Sequence, residues 1–275
     1  MPSVSAFVKK HVVPIYFALT FVISWGAVLL LAGGIPVTAE QLETLGLAML
    51  LGPSLAGLLL TGVAAGREGL RELLSRLVRW RVSARWYAVA LLTAPLSMVA
   101  VLLALSLLSR EFVPAIFTST DKATLLLTGI TAGLVVGFFE ELGWTGFALP
   151  RLRLRYGLLM AGGVIVGLLW GAWHFIVFWE RDSLSGALPL ALLLARLFSW
   201  LPAYRVLMVW VHDRTESLLV TMLMHVSLVA SLVIVEPPLS GENLLTYILA
   251  RAAVWNVAAA VAIGIRGNRP LARLA

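Results

Sequence analysis

Long apolar runs, separated by short polar connections, repeat along the whole chain and predict eight helices, at roughly 12–33, 42–65, 86–108, 123–148, 157–179, 187–211, 216–235 and 244–264. About twenty apolar residues suffice to cross the hydrocarbon core of a bilayer as a helix. The alternating segments of about ten residues that mark a transmembrane β-barrel are absent. The pattern predicts an all-α, polytopic membrane protein. No connection is long enough for a separate domain, so residues 1–275 read as one membrane-embedded unit.

Inside three of these runs the small and polar residues fall three or four apart, on one helical face. Gly133, Gly137, Glu140 and Gly143 form such a stripe on the fourth run; Gly163, Gly167, Gly171 and His174 on the fifth; Ser217, Thr221, His225 and Val229 on the seventh. Small residues let helices approach closely in lipid, and polar side chains hydrogen-bond across the contact. The natural partner of each face is another of the three.

Composition agrees with this class. The chain is 60% hydrophobic and 13% charged, with a mean hydropathy of +0.96. A soluble domain carries about a quarter charged residues. Cysteine is absent, which excludes disulfides and thiolate metal sites. Arginine far outnumbers lysine, a composition that fits a GC-rich bacterial genome.

The net charge of +7 would fit nucleic-acid binding if it formed one surface, but the cations alternate between loops instead. Lys9 and Lys10 precede the first run. Arg67, Arg71, Arg76, Arg79, Arg81 and Arg85 fill the second connection, Arg151, Arg153 and Arg155 the fourth, and Arg266, Arg269 and Arg273 the C-terminus. By the positive-inside rule both termini face the cytoplasm of what reads as a bacterial inner membrane, and no nucleic acid is called for. The connection with His212, Asp213, Arg214 and Glu216 lacks the positive excess its side requires. The first run exceeds the 7–15 residues of a signal-peptide core and has no small-x-small site directly after it, so it reads as a retained helix. Arginines interleaved with Leu70, Leu73, Leu74, Leu77, Val78 and Trp80 fit either a short interfacial helix or an ordinary basic loop.

The candidate chemistry is a pair of carboxylates, Glu140 and Glu141, inside the fourth run. An ionised side chain at the bilayer centre costs about 3 kcal/mol or more on insertion scales, so it is kept where it has partners or a task. With His174 and His225 two chemistries are open. A carboxylate activates water as general base while histidines stabilise the oxyanion; or Glu140, His174 and His225 hold zinc as a His₂Glu site. No His-Glu-x-x-His helix and no Gly-x-Ser-x-Gly elbow is present. A histidine in a membrane helix is more often an interhelical hydrogen-bonding group, and a glutamate is often one half of an ion pair. Arg196 and Arg205, in the sixth run, need such a partner themselves. Proton-coupled transport also uses Glu and His relays, but no internal repeat supports it. Reckoned by helical rise, Glu140 and His225 lie at similar depth, whereas His174 lies too far out unless its helix tilts or breaks near Gly162 and Gly163.

These residues resemble the CPBP family of intramembrane proteases, which includes CAAX prenyl endopeptidases and bacteriocin-processing or abortive-infection relatives. The family's Glu-Glu-x-x-x-Arg motif corresponds to Glu140-Glu141-Leu-Gly-Trp-Thr145, its aromatic-x-x-x-His to Trp170-Gly-Ala-Trp-His174, and its His-x-x-x-Asn/Asp to His225-Val-Ser-Leu-Val229. The likeness spans about 45–235. It implies an eight-helix fold and hydrolysis of a peptide bond, in a membrane-associated protein or peptide, by glutamate-activated water with no resident cofactor. By position, Glu140 is the implied base, and Glu141 supports it or binds neighbouring helices. His174 positions water or stabilises the oxyanion, and His225 belongs to the oxyanion site. Threonine stands at the motif arginine and valine at the motif Asn or Asp. In a divergent subgroup Arg196 or Arg205 supplies the missing cation and Thr221 a hydrogen bond. The rival expectation is a non-catalytic scaffold or bacteriocin-immunity factor. Partners are membrane lipids and a peptide or membrane-protein substrate.

Overall fold

The computed structural model describes residues 7–8, 10–35 and 39–266. Lys9, Arg269 and Arg273, three of the cations behind the predicted orientation, lie outside them. Among the described residues every regular element is helical. The main helices are α1 (Val12–Ala32), α2 (Ala39–Leu77), α3 (Ala84–Ser106), α4 (Lys122–Gly143), α5 (Leu149–Arg153), α6 (Leu168–Trp173), α7 (Phe175–Phe178), α8 (Ala187–Leu194), α9 (Leu201–Thr215), α10 (Leu218–Val235) and α11 (Gly241–Arg266). π-helical segments join α4 to α5 (Trp144–Ala148), enter α6 (Leu159–Gly167) and join α8 towards α9 (Ala195–Ser199). The Asp121 carboxylate caps α4 by accepting from the Thr124 amide at 3.0 Å, and these backbone hydrogen bonds hold its carboxyl below the usual range.

Seven helical stretches of the described residues are long and apolar enough to span a membrane, which makes this an integral membrane protein. They fall on seven of the eight predicted runs. The fifth run departs from prediction. Its continuous helix is the shorter Leu159–Trp173, and the chain breaks at His174, whose Nδ1 lies 2.8 Å from the Trp170 carbonyl oxygen. Nine residues of this stretch are π-helical. Wider turns spend more residues per turn and climb less per residue, which brings His174 back toward the depth of Glu140.

Two polar connections are also more helical than their composition implies. α2 runs on to Leu77 after changing direction at Gly66, whose φ of 59° is open to glycine. Beyond it Arg67 and Arg71 are exposed and Leu73 is buried, as in the amphipathic alternative. His212 and Asp213 are not loop residues: α9 carries them, and Asp213 pairs with Arg153 at 2.7 Å in a bridge sealed from solvent. The acid that offset the expected positive excess is therefore neutralised by a cation from the α5 end.

α10 packs chiefly on α4. The contact is tight because Gly129, Gly133 and Gly137 offer no side chains: a Cβ on Gly133 would stand 2.5 Å from the Val226 carbonyl oxygen, and one on Gly137 3.1 Å from the Val226 nitrogen. Gly163 and Gly167 seat their segment on Val206 and Pro202 of α9 in the same way. Arg251, inside the eighth run and missed as a candidate, pairs with Glu236 at 2.9 Å and lies against the Trp200, Tyr247 and Trp255 rings.

Candidate active site

The stripe on α4 divides in two. Each residue turns about 100° around a helix, so Glu141, four after Gly137, continues the glycine face toward α10. Glu140 does not, contrary to the sequence expectation, and it looks toward α6 instead. Gly143 also leaves the stripe and packs on Pro53 of α2.

Glu141 is fully engaged. Arg205 Nη1, from α9, lies 2.9 Å from both of its carboxylate oxygens. His225 Nδ1, from α10, lies 2.8 Å from Oε1, and the Thr145 hydroxyl donates to Oε2. Glu141 and Arg205 are both sealed from solvent. The guanidinium also lies over the Trp170 ring, 4.2 Å from its centroid. Planar cations favour this combination of carboxylate pairing and stacking.

Glu140 is held by one oxygen. Its Oε2 accepts from the Trp170 indole at 2.7 Å and the Trp144 indole at 3.2 Å, which leaves Oε1 without a protein hydrogen bond. Its side chain lines a cavity of about 810 Å³ together with His174 and Val229. Since the Trp170 carbonyl can only accept, His174 Nδ1 is the donor and Nε2 is left as an acceptor in the neutral ring. His225 abuts Trp170 edge-on at 5.3 Å between ring centroids, and His174 does so at 5.5 Å.

The supporting candidates separate clearly. Trp170 and Thr145 touch the glutamates directly, and Arg205 is the cation of the cluster. Arg196 is not part of it: it pairs with Glu180 at 2.9 Å. Thr221 gives its proton to the Ser217 carbonyl of its own helix at 3.0 Å, so it does not donate to the site. Trp144 was missed as a ligand of Glu140. Its i+4 spacing was available in the sequence, but so was an ordinary packing role. Among the described residues no three His, Cys, Asp or Glu side chains are grouped to hold a metal. His225 turns its Nδ1 to Glu141, and Glu140 gives one oxygen to two indoles.

Residues 122–231, which contain both glutamates, both histidines and Arg205, match the family model of the type II CAAX prenyl endopeptidase Rce1-like proteins. This segment is similar to that family. The match is narrower than the stretch 45–235 that carries the motif resemblance, and it covers α4 through most of α10. The chain is also 37% identical over 75 residues to CAAX prenyl protease 2 of Methanococcus maripaludis, a match covering 27% of this chain and 22% of that protein. The matched segment thus contributes every polar group of the site described above, while α1 and α2 supply its packing and part of the cavity wall.

Proposed function

We propose that this chain is an intramembrane endopeptidase in which Glu140 activates the attacking water. The observation that carries the reading is the asymmetry of the two carboxylates. Glu141 has every oxygen occupied, whereas Glu140 is clamped by two indoles through Oε2, has no protein hydrogen bond at Oε1, and lines the cavity. A water there meets two acceptors, Glu140 Oε1 and His174 Nε2, so its lone pair is turned to a substrate carbonyl. Glu140 takes one proton as the C–O bond forms, and passes it to the amine as the C–N bond breaks. No covalent acyl-enzyme is needed.

In this reading His225 stabilises the oxyanion. Its Nδ1 is engaged by Glu141, which leaves Nε2 as the ring atom that would face the oxyanion. General bases contribute about 10²–10⁴-fold to rate. The substrate is a membrane-associated protein or peptide, with a prenylated C-terminus or a bacteriocin leader as the two candidate classes. The termini and the arginine-rich end face the cytoplasm of a bacterial inner membrane.

Val229, in the cavity wall where the family motif has Asn or Asp, favours the rival reading of a non-catalytic scaffold or immunity factor. Mass spectrometry of a diverse peptide mixture incubated with detergent-purified protein decides between them. The expected products vanish with Glu140→Gln and persist with a chelator. Products lost on chelation would require metal chemistry. No products from well-folded wild type across added lipids would favour the scaffold.

A further inference from the structure

Another cavity, of about 630 Å³, lies at the arginine-rich end between the start of α1, α5 and the fifth run, and it reaches neither glutamate. Its upper part is cationic. Lys10 comes from the approach to α1, Arg151 from α5, and Arg155 and Tyr156 from the connection that follows. Among the described residues no acid lines this cleft. The neighbouring Arg76, Arg79 and Arg153 are each bridged to a carboxylate, of Glu72, Glu216 and Asp213 respectively. Lys10, Arg151 and Arg155 make no such bridge among the described residues. The Arg151 guanidinium is nevertheless held in place. Its Nη1 donates to the Phe147 carbonyl at 2.8 Å, and the group lies 3.9 Å from the centroid of the Phe147 ring. Its remaining donors keep the planar geometry that suits phosphate oxygens.

Below the cations the wall turns apolar. Val13 and Phe17 lie four apart, on one face of α1, and Ile165 and Leu169 line the cleft from the fifth run. Phe17 is seven residues past Lys10, about 10 Å deeper by helical rise. Leu154, also in the lining, has 58% of its surface exposed, so the cleft opens at the protein surface.

The two halves select a ligand together. A free phosphate would meet the cations and leave the apolar wall uncovered. A zwitterionic lipid would bring an ammonium among three cations with no acid to receive it. A lipid of net negative charge satisfies both halves, and basic pockets between transmembrane helices are where such headgroups bind. We infer that this cleft is a binding site for an anionic glycerophospholipid, with its phosphodiester on Lys10, Arg151 and Arg155 and the top of one acyl chain between Phe17 and Leu169. The site is separate from the cavity at Glu140 and does not rest on the protease reading. On the orientation proposed above, its lipid comes from the inner leaflet.

Native mass spectrometry of the detergent-purified protein, titrated with phosphatidylglycerol or with phosphatidylcholine, reads the affinity for the first bound lipid. Wild type should prefer phosphatidylglycerol by about tenfold or more. Lys10 and Arg155 are exposed, so the pair Lys10→Gln/Arg155→Gln leaves the core intact, and it should lose that preference. Val13→Trp, which fills the apolar wall, should weaken phosphatidylglycerol binding. Arg67→Gln/Arg71→Gln removes the same charge from the exposed face of α2 and should change nothing. No preference between the two lipids in wild type, or an equal loss in both charge pairs, would overturn the site. Displacement by excess inorganic phosphate, together with unchanged binding to Val13→Trp, would also overturn it and assign the cleft to a free anion.

Discussion

Arg205 on α9 closes on Glu141 of α4 with one nitrogen 2.9 Å from both carboxylate oxygens, whereas the family motif carries its arginine four residues after that glutamate. Here that motif position is Thr145, which donates to the same carboxylate. The cation that pairs with Glu141 here comes from another helix. Removing one member of a buried ion pair costs about 3–5 kcal/mol because the other charge is stranded. Arg205→Met should therefore lower the thermal unfolding temperature in detergent markedly. Thr145→Arg, added to Arg205→Met, should recover a substantial part. If Arg205→Met unfolds like wild type, this pair does not hold Glu141.

The two adjacent glutamates should respond to the same substitution in different ways. Glu140→Gln keeps an acceptor for both indoles, so the fold should be retained while peptide cleavage falls by about 10²–10⁴. Glu141→Gln leaves Arg205 without a counter-charge and should lose about 3–5 kcal/mol of stability. Unfolding curves and single-turnover cleavage, measured on both variants, separate the roles. Equal stability of the two variants would contradict the division.

Val229 tests how far the apolar wall limits the reaction. Val229→Asn introduces an amide into the cavity beside Glu140 and His174. Losing one oxyanion donor costs about 10²–10³ in rate, so supplying one should raise kcat by about tenfold or more. An unchanged or lower kcat in a folded variant would mean that the site completes its oxyanion stabilisation without this position.

The glycine contact between α4 and α10 should be intolerant of bulk. Gly137→Val drives a side chain into the Val226 and Met222 backbone, and overpacking of this kind costs about 1–3 kcal/mol. Gly62→Ala is the control, since its added methyl meets nothing within 4 Å, and should be neutral or stabilising by up to about 1 kcal/mol. Equal unfolding temperatures for the two variants would remove the close-packing argument.

Much of this was legible in the sequence, and what was not has identifiable causes. Hydropathy located seven of the eight runs because each is long and apolar enough to span a membrane. It missed the break at His174, which depends on a ring-to-carbonyl contact that no periodicity encodes. The stripes identified the helices that meet, but a stripe of broad width did not resolve whether Glu140 or Glu141 faces α10. That choice rests on about 100° of rotation. Arg205 was singled out by the cost of an unpaired charge, and Arg196 was too. Only the distance to Glu180 separates them. Asp213 read as a loop acid because its partner Arg153 is sixty residues away in the chain.

α9 ends and α10 begins with only Glu216 and Ser217 between them, Glu216 holding a φ of 51° and Ser217 anchored to the Arg79 carbonyl at 2.7 Å. Arg205 and His225 therefore belong to one rigid hairpin that grips Glu141 from two sides. The link has no slack. An inserted residue that propagated into α10 would swing His225 by about 100°, away from the carboxylate it must meet. In a lineage of such chains, length variation should accumulate in the connection at 180–186 and be purged at 216–217, where reading distance along the gene is also angular position at the site.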